Sequence, residues 1–417
     1  MAKNIVILFD GTSNEISADR TNILRLFGIL RRTDRQIVYY DPGVGTFGAA
    51  NAWSKAYRRA VEIWGLATGW GFDQNVKDAY RFIVDNYQRA PRGPDGKRVG
   101  EDDRIYIFGF SRGAYSARVL AGFIHALGIV SKYHVNLIDY AYRTYKGIPD
   151  IEQTVCTPAE RATDDAPSAF TSMRLYERTL KTYRPKIKLL GLFDTVASII
   201  ESGKWMPQLK TLPFTNTNPS VEWVRQALAI DERRTMFNPM PWAAGQEYWG
   251  GPFRPANPEM QNSKEVWFTG VHGDVGGGYP EKESAIIKIP LEWMIRETMP
   301  TGLDYSQPTI DKIVLGDDPK EVYVKLDPLA KMHDSMTAMW KVLECVPRRV
   351  PETSWKRRGN TKGIYIPFCD HRLIPDGAII HQSVIERKEG RPMDGPYAPL
   401  NFPSRYGVER GPASITS

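Results

Sequence analysis

The fold is decided by DRIYIFGFSRGAYSARVLAGFIHALG, residues 103–128. A β-branched and aromatic run opens this stretch as a buried strand would, and the apolar spacing over 114–127 predicts a helix that Gly128 ends. Between the two lies Gly-Phe-Ser-Arg-Gly at 109–113. A strand that reverses into a helix this quickly leaves no room for side chains beside the turn, which accounts for the two glycines. Strand, turn and helix together predict a nucleophile elbow with Ser111 exposed at its tip.

An elbow serine needs hydrogen-bond donors for the negative charge that develops on the substrate oxygen. Backbone N–H groups at the start of the following helix suit this role, and Arg112 supplies the first of them. In hydrolases with an elbow, a loop after a neighbouring strand supplies the second. The strand at 5–9 ends in Asp10-Gly11-Thr12, so the Gly11 N–H is our candidate. The alternative is a plain turn in which Asp10 accepts backbone hydrogen bonds.

Two further strands end in residues that suit a catalytic site. The strand at 186–193 runs into Asp194, and the strand at 265–270 runs into His272, which precedes a glycine run. Catalytic groups collect at the carboxyl ends of parallel strands. The order Ser111, Asp194, His272 is that of nucleophile, acid and base in α/β-hydrolases. Taken alone, Asp194 could instead cap the next helix.

Other polar residues complete the set of candidates. We expect Asp10, Asp274 and His381 to line the site, and His381 is also the only rival to His272 as the base. A metal-dependent hydrolase using Asp10, Asp194, Asp274 and His272 has the right residue types but no diagnostic ligand spacing. We therefore expect neither a metal nor another cofactor.

Composition narrows the class of protein. The chain has 417 residues, 42% of them hydrophobic, which permits one large α/β domain or two smaller ones. The net charge of +7 comes from 55 basic and 48 acidic residues without a long basic run, so we expect no nucleic-acid partner. The cysteines lie far apart, which favours neither a disulfide framework nor a zinc site. They are Cys156, Cys345 and Cys369.

We predict an α/β fold of the α/β-hydrolase type, with a mostly parallel central sheet flanked by helices, helical insertions and a C-terminal extension. Residues 1–300 would form the catalytic core. Residues 301–417, whose aliphatic content is thin for a separate domain, would pack on this core or cap the site.

The sequence contains neither a typical secretory signal at its N-terminus nor a run that could span a membrane. The first strand begins directly after residue 4, and its apolar run is too short for a secretory signal. Apolar runs elsewhere are broken by charges well before the ~18 residues of a membrane span. We therefore expect a protein that is cytoplasmic as synthesised, with no transmembrane segment, whose export would need a non-Sec route.

Several motifs, in order along the chain, resemble one known family. They are DGT at 10–12, YYDPGVGT at 39–46, GFSRGAYSAR at 109–118, LFDTVAS at 192–198, IDERRTMFNPMPW at 230–242 and VHGDVGGGY at 271–279. They look like the DUF2235 family, which includes the Tle1-type phospholipase effectors of bacterial type VI secretion. The resemblance covers roughly residues 3–300. It implies an α/β-hydrolase core that acts on lipid esters, with Ser111, Asp194 and His272 as its triad, and a secretion or immunity partner.

Two features depart from the family pattern. Residue 273 is Gly where the family usually has Ser, a small change that leaves the base in place. The sequence also shows no counterpart of the long additional membrane-anchoring segment that the secreted effectors tend to carry, which argues against phospholipase activity and delivery to a rival cell.

The leading hypothesis is a serine hydrolase of lipid or phospholipid acyl esters that works through an acyl-enzyme. The alternatives are a general short-chain esterase and a non-catalytic hydrolase-like binding or immunity module. Residues 47–72 bear on the choice, because aromatic residues lie there among glycines and three cations. This pattern predicts either a lid with peripheral membrane contact or rings that fill the core. The aromatic residues are Phe47, Trp53, Tyr57, Trp64, Trp70 and Phe72.

Overall fold

The computed structural model describes residues 2–11, 19–43, 72–148, 169–196, 200–202, 207–209, 212–250, 254–349 and 364–411. At its centre, eight parallel strands form one sheet. The strands are β1 (Asn4–Phe9), β2 (Gln36–Asp41), β3 (Arg104–Phe110), β4 (Ile187–Phe193), β5 (Val221–Ala229), β6 (Asn262–Phe268), β7 (Ala378–His381) and β8 (Tyr406–Glu409). The expected α/β architecture with a parallel central sheet is confirmed.

The strand order is β8-β7-β6-β5-β4-β3-β1-β2. The chain places β2 on one side of β1 and then returns to add β3 on the other side. At such a reversal, the loops after the two strands diverge and leave a crevice at the carboxyl ends. Asp10 follows β1 and Ser111 follows β3. The topology therefore opens a crevice where the sequence predicts the elbow.

Helices cover both faces of the sheet. They are α1 (Asn22–Ile29), α2 (Phe72–Asn86), α3 (Arg112–Leu127), α4 (Ile138–Lys146), α5 (Ala169–Leu180), α6 (His272–Gly276), α7 (Lys288–Thr298), α8 (Gln307–Ile313), α9 (Ala338–Leu343) and α10 (Gln382–Glu389). Two-residue or three-residue strands pair outside the central sheet. These pairs are Ile200–Ser202 with Pro207–Leu209, Glu247–Tyr248 with Glu259–Met260, and Arg348–Arg349 with Ile364–Tyr365. Within the described ranges, every helix is too short or too polar to span a bilayer.

The position of β1 between two layers of helices accounts for its apolar sequence from Ile5 to Phe9. Ile5 and Ile7 belong to a core cluster that includes side chains of α2 and α3. Val6 and Leu8 point to the opposite face and belong to a cluster with side chains of α1 and α7. A strand covered by helices on both faces has no solvent side, so its residues do not alternate between apolar and polar.

Residues after 300 extend the central sheet. β7 pairs with β6, and β8 pairs with β7. Behind these strands, Trp267 of β6 packs in a cluster with Ile380 of β7, Val384 of α10 and Tyr397. The extension is thereby joined to the sheet by both hydrogen bonds and apolar packing. The division of the chain at residue 300 stays a prediction.

Of the aromatic residues at 47–72, only Phe72 lies within the described residues. It is buried at the start of α2, and its ring lies 5.5 Å from that of Tyr115 in α3. The core interpretation is therefore confirmed for Phe72. The question of a lid over 47–71 lies outside the described residues.

Candidate active site

The elbow has the geometry that its glycines require. Ser111 has φ 58° and ψ −123°, and α3 begins at the next residue. A Cβ on Gly109 would lie 2.4 Å from the carbonyl oxygen of Gly113, and one on Gly113 would lie 2.3 Å from that of Asp10. The steric explanation of the two glycines is confirmed. The expectation that Ser111 is exposed is wrong, because it is only 7% exposed and lies within the crevice.

Ser111, His272 and Asp194 form a continuous chain of hydrogen bonds. The Oγ of Ser111 lies 2.7 Å from Nε2 of His272, and Nδ1 of His272 lies 2.5 Å from Oδ2 of Asp194. An ionised carboxylate only accepts, so Nδ1 carries the proton and Nε2 is left as the acceptor for the serine hydroxyl. The structure thus brings together the three residues that the chain order selects.

The carboxylate of Asp194 is buried and held from several sides. The N–H of Ala229 donates to Oδ1 at 3.0 Å. The guanidinium of Arg372 donates from Nη1 to Oδ1 at 2.6 Å and from Nη2 to Oδ2 at 2.9 Å. The carboxylate of Asp194 is thus bonded to Ala229, Arg372 and His272. None of these partners is an N–H group at the start of a following helix, which a helix-capping Asp194 would require.

Burial and charge set the protonation states of the base and the acid. Burial alone would raise the pKa of Asp194, but Arg372 and His272 outweigh it and hold that pKa well below the ordinary value. Burial lowers the pKa of His272 below the ordinary 6.5, although hydrogen bonding and attraction to Asp194 act in the opposite direction. At neutral pH the site therefore has an ionised acid beside a neutral base, which is the state that proton transfer from Ser111 requires.

The segment after β5 holds His272 from behind. The backbone N–H of His272 donates to Oε2 of the buried Glu232 at 3.2 Å, and Glu232 pairs with Arg234 at 2.8 Å. The imidazole ring lies between Phe110 and Phe237, at centroid distances of 4.8 and 4.9 Å. This segment is one of the six motif stretches, and that is the signal that could have singled out Glu232.

Asp10 accepts hydrogen bonds from the residues around its turn. Its Oδ2 accepts from the hydroxyls of Thr21 at 2.6 Å and Tyr40 at 2.8 Å, and its Oδ1 accepts from the N–H of Gly11 at 2.6 Å. These bonds are those expected of a turn in which Asp10 is the acceptor. Arg112 lies at the first position of α3. The oxyanion roles of Arg112 and Gly11 stay predictions, and the Gly11 N–H would have to leave Asp10 to take its role.

Asp274 belongs to a second acid–histidine pair. Its Oδ1 lies 2.5 Å from Nδ1 of His333, and its Oδ2 accepts from the N–H of Val271 at 2.9 Å. Burial lowers the pKa of His333, but hydrogen bonding and attraction to Asp274 and Glu283 together outweigh it, and the net pKa is above the ordinary value. A Cβ on Gly273 would lie 2.5 Å from the ring of Tyr279, so this ring occupies the space that a larger residue at 273 would need.

His381 has a structural environment. It ends β7 and caps α10, with Nδ1 lying 2.8 Å from the hydroxyl of Ser383, and its ring stacks on Phe268 at 4.7 Å. Burial lowers its pKa to about 3. The histidine that contacts Ser111 is His272.

The residues weighed as metal ligands have other partners. Asp10 is bonded to two hydroxyls, Asp274 pairs with His333, and Asp194 is held by Arg372. Among the residues that the structure describes, no group of three or more His, Cys, Asp or Glu side chains is arranged to hold a metal ion. The metal-dependent alternative has no ligand cluster in that part of the chain.

A family model described as T6SS phospholipase effector Tle1-like, catalytic domain, matches residues 3–297. The chain belongs to this Tle1-like family. The resemblance seen in the sequence is therefore confirmed, and the matched region includes Ser111, Asp194 and His272. Arg372 lies beyond it.

The proteins to which this chain is similar are longer than the part that it matches. An uncharacterized protein of Saccharomyces cerevisiae is 32% identical over 260 residues, which cover 58% of this chain and 33% of that protein. A crystal structure of an uncharacterized protein from Pseudomonas aeruginosa has 18% identity and a TM-score of 0.39. This match covers 78% of the present chain and 49% of the Pseudomonas chain. The structure of the Tle1 effector bound to the VgrG spike of the type 6 secretion system has 19% identity and a TM-score of 0.32. This match covers 68% of the present chain and 52% of the effector chain. The chain thus spans between a third and about half of these proteins.

Proposed function

We propose that this chain is a serine hydrolase of lipid-like carboxylic esters, with Ser111 as nucleophile, His272 as general base and Asp194 as the acid that orients the base. One observation carries the proposal. The hydroxyl, the imidazole and the carboxylate are joined by hydrogen bonds of 2.7 and 2.5 Å at the carboxyl ends of parallel strands. This arrangement makes a weak nucleophile reactive without a metal ligand set.

The chemistry consists of two acyl transfers. Ser111 Oγ attacks the carbonyl carbon of the ester while its proton passes to Nε2 of His272. Negative charge develops on the former carbonyl oxygen, near the start of α3. His272 then gives the proton to the leaving alcohol, the ester C–O bond breaks, and the acyl group remains on Ser111. A water molecule deprotonated by His272 then attacks the acyl carbon, the bond to Ser111 Oγ breaks, His272 returns the proton to Oγ, and the carboxylic acid leaves. Asp194 stays ionised throughout and stabilises the imidazolium.

Two observations support a lipid-like substrate. The first is membership of the Tle1-like phospholipase effector family. The second is the aromatic contact beside the base, where the ring of Trp340 in α9 lies 5.7 Å from that of Phe237, which packs on His272, and the guanidinium of Arg234 lies over both rings. On either side of Trp340 in the sequence of α9, Met339 is 44% and Val342 is 69% exposed. Acyl chains gain free energy by covering such side chains, whereas polar substrates do not.

A fluorophosphonate probe tests the nucleophile. The probe should label the wild-type chain once, and Ser111→Ala should abolish labelling and lower esterase turnover by about 10⁴-fold or more. Ser116→Ala is the matched control, because Ser116 is a buried serine in α3, the helix that follows Ser111, and lies outside the proposed triad. A wild-type chain that is folded but neither labels nor hydrolyses any ester would favour the non-catalytic binding module.

A substrate panel tests the lipid class. Phospholipid vesicles and long-chain esters should be hydrolysed faster than short soluble esters, and the rate should rise above the concentration at which a short-chain substrate forms micelles. Preference for monomeric soluble esters would support the general esterase instead. Contact with a membrane and with a secretion or immunity partner stay predictions.

A further inference from the structure

We propose that Arg372 is a positioning residue of this site, which fixes the carboxylate of Asp194 and balances its charge so that His272 remains a neutral base. The proposal rests on the proposed function. It assigns a role in the reaction to a side chain beyond the family-matched region, which ends at residue 297.

The two terminal nitrogens of the Arg372 guanidinium bond to Asp194 and to the backbone beside it. Both of its terminal nitrogens donate to the carboxylate, one to each oxygen. Nη1 also donates to the carbonyl oxygen of Ala229 at 2.9 Å, and Nη2 to that of Phe237 at 2.5 Å. A planar fork held by four bonds fixes the plane of the carboxylate that it meets. Oδ2 is thereby directed at Nδ1 of His272.

The backbone of Arg372 is held as well. Its carbonyl oxygen accepts from the side-chain amide of Asn401 at 3.0 Å, and the same amide donates to the carbonyl of Ile230 at 3.0 Å. One asparagine thus connects the segment that carries Arg372 to the end of β5. The position of the guanidinium is therefore set by the extension and the core together.

The charge of Arg372 matters because Asp194 has no exposure to solvent. A buried carboxylate with a histidine as its only partner is stabilised by drawing a proton onto that histidine. The resulting imidazolium cannot accept the proton of Ser111. An arginine supplies a permanent positive charge, so Asp194 can stay ionised while His272 stays neutral. The directions of the pKa shifts of Asp194 and His272 agree with this division.

The other charged groups that face His272 act on its pKa in opposite directions, since Arg234 lowers it and Glu232 raises it. Glu232 and Arg234 approach it from the segment after β5 and pair with each other at 2.8 Å. Among the described residues, the ring also contacts Ser111, Phe110 and Phe237, which carry no charge. Arg372 is therefore the charge that balances Asp194.

Three variants test the proposal. Arg372→Met removes the charge, Arg372→Lys keeps the charge but not the fork, and Arg387→Met is the matched control. Arg387 is also fully buried in the extension, but it bonds to the carbonyls of Pro328 and Ala330 and to Asp394. For each variant, the active sites are counted by titration with the fluorophosphonate, and kcat and KM for a soluble ester are then measured per active site across pH.

For Arg372→Met we expect the acid limb of kcat/KM to move up by about one pH unit or more, with a lower kcat at neutral pH and an unchanged KM. Arg372→Lys should keep the acid limb near that of the wild type but lose kcat. Arg387→Met should keep the wild-type acid limb and the wild-type kcat per active site, even if a smaller fraction of the protein folds. A purely structural role for Arg372 would lower only the number of active sites.

A wild-type pH profile and kcat per active site in Arg372→Met would overturn the proposal. If that variant does not fold, wild-type kcat in Arg372→Lys would overturn the positioning role. Restoration of turnover in Arg372→Ala by added guanidinium would support it. A wild-type chain without labelling or ester hydrolysis would instead refute the proposed function itself, so the two failures can be told apart.

Discussion

Two of the three proposed catalytic residues have backbone conformations that non-glycine residues rarely adopt. Ser111 has φ 58° and Asp194 has φ 40°. Each such residue costs on the order of 1–3 kcal/mol, so the surrounding structure must hold it. The N–H of Ser111 donates to the carbonyl of Phe193 at 3.0 Å, and that of Asp194 to the carbonyl of Ala227 at 2.8 Å. Backbone hydrogen bonds to neighbouring strands thus hold both strained residues. The strain lies at the ends of β3 and β4, where the proposed catalytic side chains are located.

The lowered pKa of His272 predicts the pH dependence of hydrolysis. His272 must be neutral to accept the proton of Ser111, so activity is present above its pKa in the folded protein and is lost as the pH falls through it. Because burial puts this pKa below 6.5, the midpoint of the acid limb of kcat/KM should lie below pH 6.5. Measurement with a soluble ester reports the free enzyme. A midpoint above 6.5 would contradict the neutral, buried base.

Substitution of the rival histidine should affect stability and not the reaction. His381 caps α10, and its Nε2 is buried without a hydrogen-bond partner among the described residues. His381→Ala should lower the free energy of unfolding by about 1 kcal/mol, the usual value of a helix cap, and leave kcat within about twofold. Urea unfolding and ester turnover measure the two effects.

His272→Ala is the comparison for that experiment. It should lose about as much turnover as Ser111→Ala, because members of a triad act as a unit. Equal losses of turnover in both histidine variants, with both proteins folded, would leave the base unassigned.

At the scale of single elements, the elbow should tolerate no side chain at its first glycine. A Cβ on Gly109 would lie 2.4 Å from a backbone oxygen and 2.5 Å from the Cα of Ala114. Gly109→Ala should therefore separate β3 from α3, at a cost of ~2 kcal/mol or more, and displace Ser111. Loss of fluorophosphonate labelling together with a lower midpoint in urea would show both effects.

Gly28 provides the opposite case for comparison. It lies inside α1, and a Cβ there would have nothing within 4 Å. Gly28→Ala should keep full labelling and raise the free energy of unfolding by about 0.5–1 kcal/mol, because alanine is the better helix former. If Gly109→Ala behaved like Gly28→Ala, the close packing of the elbow would not be required.

The elements that sequence reasoning could predict are those with purely local signals. The run before Asp10 is apolar throughout and became β1, and the helix after Ser111 ends at Leu127 just before Gly128, as expected. The strand β5 gave no such signal, because Arg225 and Gln226 lie within it. Both side chains are buried. Their charge and polarity are compensated by distant partners, which are Glu297 and Asn262 for Arg225, and Arg118, Thr195 and Glu265 for Gln226.

In the whole molecule, the site also depends on contacts between residues that are distant in sequence, and these contacts could not be predicted. Ser111, Asp194 and His272 could be predicted because each follows a strand that its own neighbours indicate. Arg372 could not, because it meets Asp194 across 178 positions of the sequence, and the sequence around it contains no motif. Pairing of a buried acid with an arginine is a property of the assembled fold.

Removal of the extension should disrupt both the central sheet and the site. A chain that stops at residue 300 would lose β7, β8 and Arg372 together. The hydrogen-bonding edge of β6 would become free to pair with other chains, and Trp267 would lose its contacts in the cluster with Ile380 and Tyr397. We expect this fragment to aggregate when expressed alone and to give no fluorophosphonate labelling. Co-expression of residues 301–417 as a separate chain should restore part of both solubility and labelling, because the sheet could then re-form. A soluble fragment that labels at the wild-type rate would instead mean that residues 1–300 are sufficient for the site, and that neither the added strands nor Arg372 is needed for the reaction.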